Sequence, residues 1–163
     1  KQHGLEPDYE TIVNEFNSIY FNEGNGLIAT ESWLVPDEIL NHLQLRYRLG
    51  IVTGRPRMEA EYTIRKANKT RHFEVLVTLD DVENSKPDPE GVFRALEDLE
   101  CSRGFYLGDN VDDYHAATGA ALTFLGVIPP GHRQPEKHET TFKQLGVETI
   151  LKDIKDLTHH IPI

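Results

Sequence analysis

A single cysteine, Cys101, excludes any intrachain disulfide, and with it the small secreted scaffolds that rely on cystine staples. A reducing, cytoplasmic compartment is the expectation. Positive charge is also scarce: 17 Lys and Arg stand against 27 Asp and Glu, for a net charge of -10. The cations are scattered, so no basic face exists to neutralise phosphates along a nucleic acid, and a general nucleic-acid binder is excluded. Long apolar runs are missing. The longest, residues 120–128, is broken by Thr123 and Gly126 and is too short to span a bilayer. No membrane association is expected, and no signal-peptide pattern opens the chain. Internal repeats and low-complexity segments are absent as well. The chain begins at Lys1 rather than Met, with a helical pattern close behind, which reads as the interior of a longer polypeptide.

What remains is a 163-residue sequence in which strand and helix patterns alternate. Ile12, Val13, Phe16, Ile19 and Tyr20 fall at helical spacing within residues 7–22, and Gly24 and Gly26 end that segment. An irregular connection carrying Trp33 follows and reads as a hinge. Pro36 opens a second helix with Ile39, Leu40, Leu43 and Tyr47 as its buried stripe. Strands are expected over residues 49–52, 73–78, 105–108, 120–127 and 148–151. Between them lie a helix to about Asn68 offering Met58, Ile64 and Ala67, a helix begun at Asp88-Pro89 with Val92, Ala95, Leu96 and Leu99 on one side, and a short helix near Phe142 after a polar loop to about Lys137. Such alternation predicts a doubly wound parallel sheet with helices on both faces.

Three of these strands end in polar groups. Thr53-Gly54 follows the first, Lys86 lies in the loop after the second, and Gly108-Asp109-Asn110-Val111-Asp112-Asp113 follows the third. In a parallel sheet these ends share one edge, where open α/β sheets bind ligands. A hydroxyl with free backbone N–H groups suits an anion. An ammonium offsets charge on phosphoryl oxygens. Two hard carboxylates four residues apart, Asp109 and Asp113, suit Mg²⁺. Each feature also has a plain structural reading, as a helix cap, a solvated lysine or a capped turn. The eight histidines are dispersed; His115 reads as a helix-surface residue and the pair His159-His160 as a solvated tail.

The ordered set Ile51-Val52-Thr53-Gly54, Lys86-Pro87 and Gly108-Asp109-Asn110-Val111-Asp112-Asp113, continued by Ala116-Ala117 and Gly126-Val127, resembles motifs II, III and IV of the haloacid dehalogenase (HAD) superfamily, and in particular its phosphoglycolate-phosphatase-like subgroup. The resemblance implies a Rossmann-like core over residues 35–163 and, in residues 1–34, part of an α-helical cap with its hinge. It implies a Mg²⁺-dependent phosphohydrolase acting on a small phosphomonoester through an aspartyl-phosphate. Thr53 and Lys86 take the catalytic roles, with Thr53, Gly54 and Lys86 binding phosphate. Asp109 and Asp113 hold or support the metal, and Arg55 is a candidate substrate contact. Asp112 receives no role.

One departure from the family pattern is large. Motif I, an Asp-x-Asp at the end of the central strand, supplies the nucleophile in that family, and no Asp-x-Asp follows an apolar strand here. Asp80-Asp81 cannot substitute, because adjacent residues on an extended chain point to opposite sides. The expectation is that the nucleophile lies upstream of Lys1 and that the 163 residues alone are inactive. The alternatives are a non-catalytic HAD-like binding module and a metal-independent dehalogenase; the acidic pair argues against the latter. Neither the substrate nor the oligomeric state is legible.

Overall fold

The computed structural model describes residues 8–162. The expected helix over 7–22 is observed as α1 (Tyr9–Tyr20), and the residues before Asp8 lie outside the described part. After two short 3₁₀ turns come α2 (Asp37–Leu43), β1 (Gly50–Val52), α3 (Arg57–Lys66), β2 (Val75–Val77), α4 (Glu90–Asp98), β3 (Phe105–Gly108), α5 (Val111–Gly119), β4 (Thr123–Val127), α6 (Pro135–Gln144), β5 (Thr149–Leu151) and α7 (Leu157–His160). Among the described residues, no helix is long and apolar enough to cross a membrane.

All strand pairings are parallel, as the alternation predicts, but they form two pieces: β1 with β2, and β3 with β4 and β5. On β4, Phe124 and Leu125 belong to different cores. Phe124 packs with Val92, Ala116, Ala117 and Phe142 under α4, α5 and α6, whereas Leu125 packs with Leu43, Leu151 and Leu157 under α2 and α7. Successive strand residues point to opposite faces, so burial of both requires a layer of helices on each side. Gly126 is needed for this packing, because an added Cβ would lie 2.8 Å from the Phe142 ring.

The boundary between the two sheet pieces has an open edge. Glu74 N donates to Leu49 O and Thr53 N to Val77 O, each at 2.9 Å. By the twofold period of a strand, Gly50 and Val52 then turn their N–H and C=O groups away from β2. Among the described residues no strand pairs with that side, and the Tyr106 hydroxyl of β3 reaches across to Val52 O at 3.4 Å. Among the described residues, β3 likewise pairs with β4 alone.

Several sequence expectations are corrected in detail. Met58 does not face the sheet; it is 58% exposed, and Ala60 is buried together with the expected Ile64, because α3 starts at Arg57 and its stripe is phased on those two residues. The loop after β4 ends sooner than expected, since Pro135 occupies the first turn of α6. Helix α2 stops at Leu43, but Tyr47 in the turn beyond still packs its ring edge-on against Phe105. Pro89 is the residue preceding α4, while Asp88 still caps it by accepting from Glu90 N at 2.9 Å.

Helix α1 is not part of this core. Ile12, Phe16 and Ile19 are each half or more exposed. The segment after it is tied to α3 instead: the Tyr62 hydroxyl donates to Gly24 O at 2.6 Å and Lys66 Nζ donates to Glu31 O at 3.0 Å. Behind that connection, fully buried His72 bridges Gln44 Oε1 at 2.8 Å and Asp37 Oδ1 at 2.9 Å, joining the two ends of α2 to the chain before β2.

This packing makes a clear contrast in stability. Phe142→Ala empties a fully buried ring site between α6 and β4 and should cost about 3–5 kcal/mol. Met58→Ala should stay within about 0.5 kcal/mol. Urea unfolding of both variants, at unchanged slope, checks the pair.

Candidate active site

The three polar strand ends meet, although they belong to two sheet pieces. Thr53, Gly54 and Lys86 line one small cleft together with Val77, Thr78 and Gly91. Its volume is about 10 Å³, room for little more than one water. A larger group would therefore lie on its rim. The Thr53 hydroxyl accepts from Arg55 N at 3.2 Å, which leaves its own proton to donate. A Cβ at Gly54 would meet nothing within 4 Å, so the backbone there stays open to a ligand.

Lys86 is tied to the third strand end. Its Nζ lies 2.5 Å from Asp113 Oδ1, and the Asp113 side chain is only 8% exposed. The Tyr106 hydroxyl donates to the same oxygen at 3.2 Å, and Asn110 N donates to Oδ2 at 3.2 Å. That last contact, with Asn110 Oδ1 accepting from Asp112 N, forms a capping box at the start of α5. Capping and site readings thus coincide in one carboxylate. Gly108 permits the arrangement: a Cβ there would stand 2.4 Å from Asp113 Cβ. Burial first, and then the Asp113 and Asp109 carboxylates, push the Tyr106 phenol well above its ordinary pKa, so it stays a neutral donor.

Asp109 differs from Asp113. It is exposed and its carboxylate has no side-chain partner among the described residues. Only its backbone is held, by His138 Nε2 at 2.7 Å from Asp109 O. Among the described residues no three His, Cys, Asp or Glu side chains converge in a way that could hold a metal. The donor chemistry nevertheless fits a hard cation that keeps most of its waters and takes one or two carboxylates. The Asp109 carboxylate is unengaged among the described residues, whereas Asp113 has both oxygens engaged.

Arg55 is turned elsewhere. Nη2 and Nη1 meet the two Glu31 oxygens at 2.7 and 3.1 Å, Nη1 also reaches Thr63 Oγ1 at 3.3 Å, and the guanidinium sits over the Tyr20 ring. It clamps the segment after α1 to the start of α3. His115 and Asp112 are exposed on α5, and neither side chain takes part in the contacts around Asp113. Sequence reasoning missed Tyr106, His138 and Glu31. Alternation along β3 could have flagged Tyr106, two residues before Gly108; the other two carry no sequence signal of their own.

Residues 6–127 match the family model for haloacid dehalogenase-like hydrolases. Pyrophosphatase PpaX of Bacillus velezensis is 35% identical, over 94% of this chain and 74% of that protein. Pyrophosphatase PpaX of Bacillus pumilus is 31% identical, over 94% and 69%. In fold, the chain is similar to a HAD-superfamily hydrolase of subfamily IA from Geobacter sulfurreducens, with a TM-score of 0.71 at 21% identity, over 98% of this chain and 75% of that one. The chain belongs to the haloacid dehalogenase-like hydrolases.

The geometry separates the two acids by stability. Lys86→Ala leaves a nearly buried carboxylate without its cation and should cost about 1–3 kcal/mol. Asp109→Asn, at an exposed group, should change stability by no more than about 0.5 kcal/mol. Chemical denaturation of both variants distinguishes these outcomes.

Proposed function

We propose that this member of the haloacid dehalogenase-like hydrolases works as a Mg²⁺-dependent phosphohydrolase of small phosphomonoesters. The observation that carries the reading is the shared cleft of Thr53, Gly54 and Lys86, joined through Lys86 to Asp113 at the carboxyl ends of parallel strands. The pyrophosphatase names of the two Bacillus relatives favour phosphate chemistry over dehalogenation.

In this mechanism the Thr53 hydroxyl and the N–H of Gly54 bind phosphoryl oxygens on the rim of the cleft. Lys86 offsets charge that grows on those oxygens as the phosphorus is attacked, an electrostatic contribution that works best when fixed in advance. Asp113, with Tyr106 donating to it, fixes that ammonium. Asp109 would hold Mg²⁺, with Asp113 behind it, and the cation would neutralise phosphate charge. The nucleophile would be an aspartate on a further strand seated between β1 and β3, where, among the described residues, both strands have an unpaired edge. It would form an aspartyl-phosphate as the ester oxygen leaves, and water would then release phosphate. The segment 1–34 would supply part of a helical cap with its hinge, and Arg55, paired with Glu31, would act as a clamp between that segment and the core rather than as a direct substrate contact.

The test is hydrolysis of a panel of small phosphomonoesters by the protein that includes the nucleophile strand. Activity should require Mg²⁺, and Asp109→Asn should lower kcat by roughly 10²–10³-fold. Equal activity in wild type and variant, with or without Mg²⁺, would refute the metal site. The 163 residues alone should turn over none of the panel.

A further inference from the structure

The peptide unit between Asp109 and Asn110 is held at both ends. Its carbonyl, Asp109 O, accepts from His138 Nε2 at 2.7 Å, and its N–H, on Asn110, donates to Asp113 Oδ2 at 3.2 Å. A peptide unit is planar, so two fixed ends set its orientation and the backbone torsions on either side of it. One of those torsions belongs to Asp109. The direction in which that exposed carboxylate leaves the chain therefore follows from how this peptide is pinned.

His138 is itself held in place. It lies on α6 one turn before Phe142, so the two side chains share a face. Its ring meets the fully buried Phe142 ring with centroids 4.5 Å apart and planes at 62°, and the His132 ring packs beside it at 4.6 Å. His132 is fixed in turn, its Nδ1 accepting from Gln134 N at 3.2 Å. A carbonyl can only accept, so the proton in the bond to Asp109 O sits on His138 Nε2. Contacts thus run from the core under β4 through Phe142 and His138 to one peptide of the acidic turn. The ring packing alone does not call for an N–H; a phenyl ring would meet Phe142 equally well and leave Asp109 O without this donor.

We infer that His138 is a positioning residue for the acidic turn: its N–H fixes the Asp109–Asn110 peptide and so aims the Asp109 carboxylate at the cation. This role rests on the Mg²⁺ site proposed above. A carboxylate that is already aimed gives up less freedom when it takes a cation, and binding is tighter for it. Without the His138 bond the peptide is pinned at its N–H end alone, and Asp109 must be ordered as the cation binds. In this role His138 touches neither the cation nor the substrate.

Two variants separate the hydrogen bond from the ring. His138→Phe keeps a ring against Phe142 and removes the donor. His138→Gln gives up the ring and keeps an N–H donor near the Nε2 position. Backbone amide shifts of the full chain are followed during titration with Mg²⁺, and circular dichroism verifies that each variant is folded. Before Mg²⁺ is added, the Asn110 amide, part of the pinned peptide, should be displaced in His138→Phe and stay near its wild-type position in His138→Gln. Wild type and His138→Gln should then saturate at Mg²⁺ concentrations within about twofold of each other, and His138→Phe should need roughly five- to tenfold more. If His138→Phe does not fold, His138→Leu takes its place with the same expectation. Equal Mg²⁺ affinity in wild type and His138→Phe, or a loss in His138→Gln as large as in His138→Phe, would overturn the inference and leave the metal site standing. No saturable shift at Asp109 and Asn110 in the wild type would refute the metal site and the role of His138 with it.

Discussion

Enclosing a carboxylate as Asp113 is enclosed costs hydration that its surroundings must replace, and Lys86 is the main compensation. The pair joins the loop after β2 to the turn after β3, two segments that share no ladder hydrogen bonds. The Tyr106 hydroxyl and the Asn110 N–H complete the shell around Asp113, so the same carboxylate starts α5, orients an ammonium and bridges two sheet pieces. Gly108 and the small Ala116 and Ala117 are needed because this shell brings α5 close against the sheet.

That bridge matters more because the sheet is divided. The β3–β4–β5 piece is well covered, with cores on both faces of β4. β1 and β2 are held to it chiefly by α4, whose Val92 and Ala95 are buried, and by the contacts of Tyr106 and Lys86. Backbone groups of Gly50 and Val52 directed to the unpaired side are the natural partners for one further strand. The strand-end site is therefore two halves, cleft and acidic turn, kept in register by one ion pair.

Much of this was legible beforehand. Thr53, Lys86 and Asp113 each follow a parallel strand, which sets Thr53 and Lys86 at one edge, and the Lys86–Asp113 ion pair brings the third strand end to them; the order of those motifs carried the family resemblance that the comparisons bear out. The different burial of the two acids was not legible. Asp109 and Asp113 look alike in sequence, but only the packing of α5 under β3 buries one and leaves the other free. Arg55 follows Thr53 by two residues and reads as a site residue, yet its partners Glu31, Tyr20 and Thr63 come from segments whose approach depends on tertiary packing. Met58 was misassigned because a stripe can be read in more than one phase until the first helical residue is fixed.

The central claim is that the ends of β1, β2 and β3 form one phosphate-binding edge. Its most direct test is a map of backbone amide chemical shifts in the full chain titrated with orthophosphate, with and without Mg²⁺. The account predicts saturable shifts at Gly54, Arg55 and Lys86, extending to Asp109 and Asn110 when Mg²⁺ is present. Shifts confined to other surfaces, or no saturable shift at Gly54 and Lys86, would contradict it.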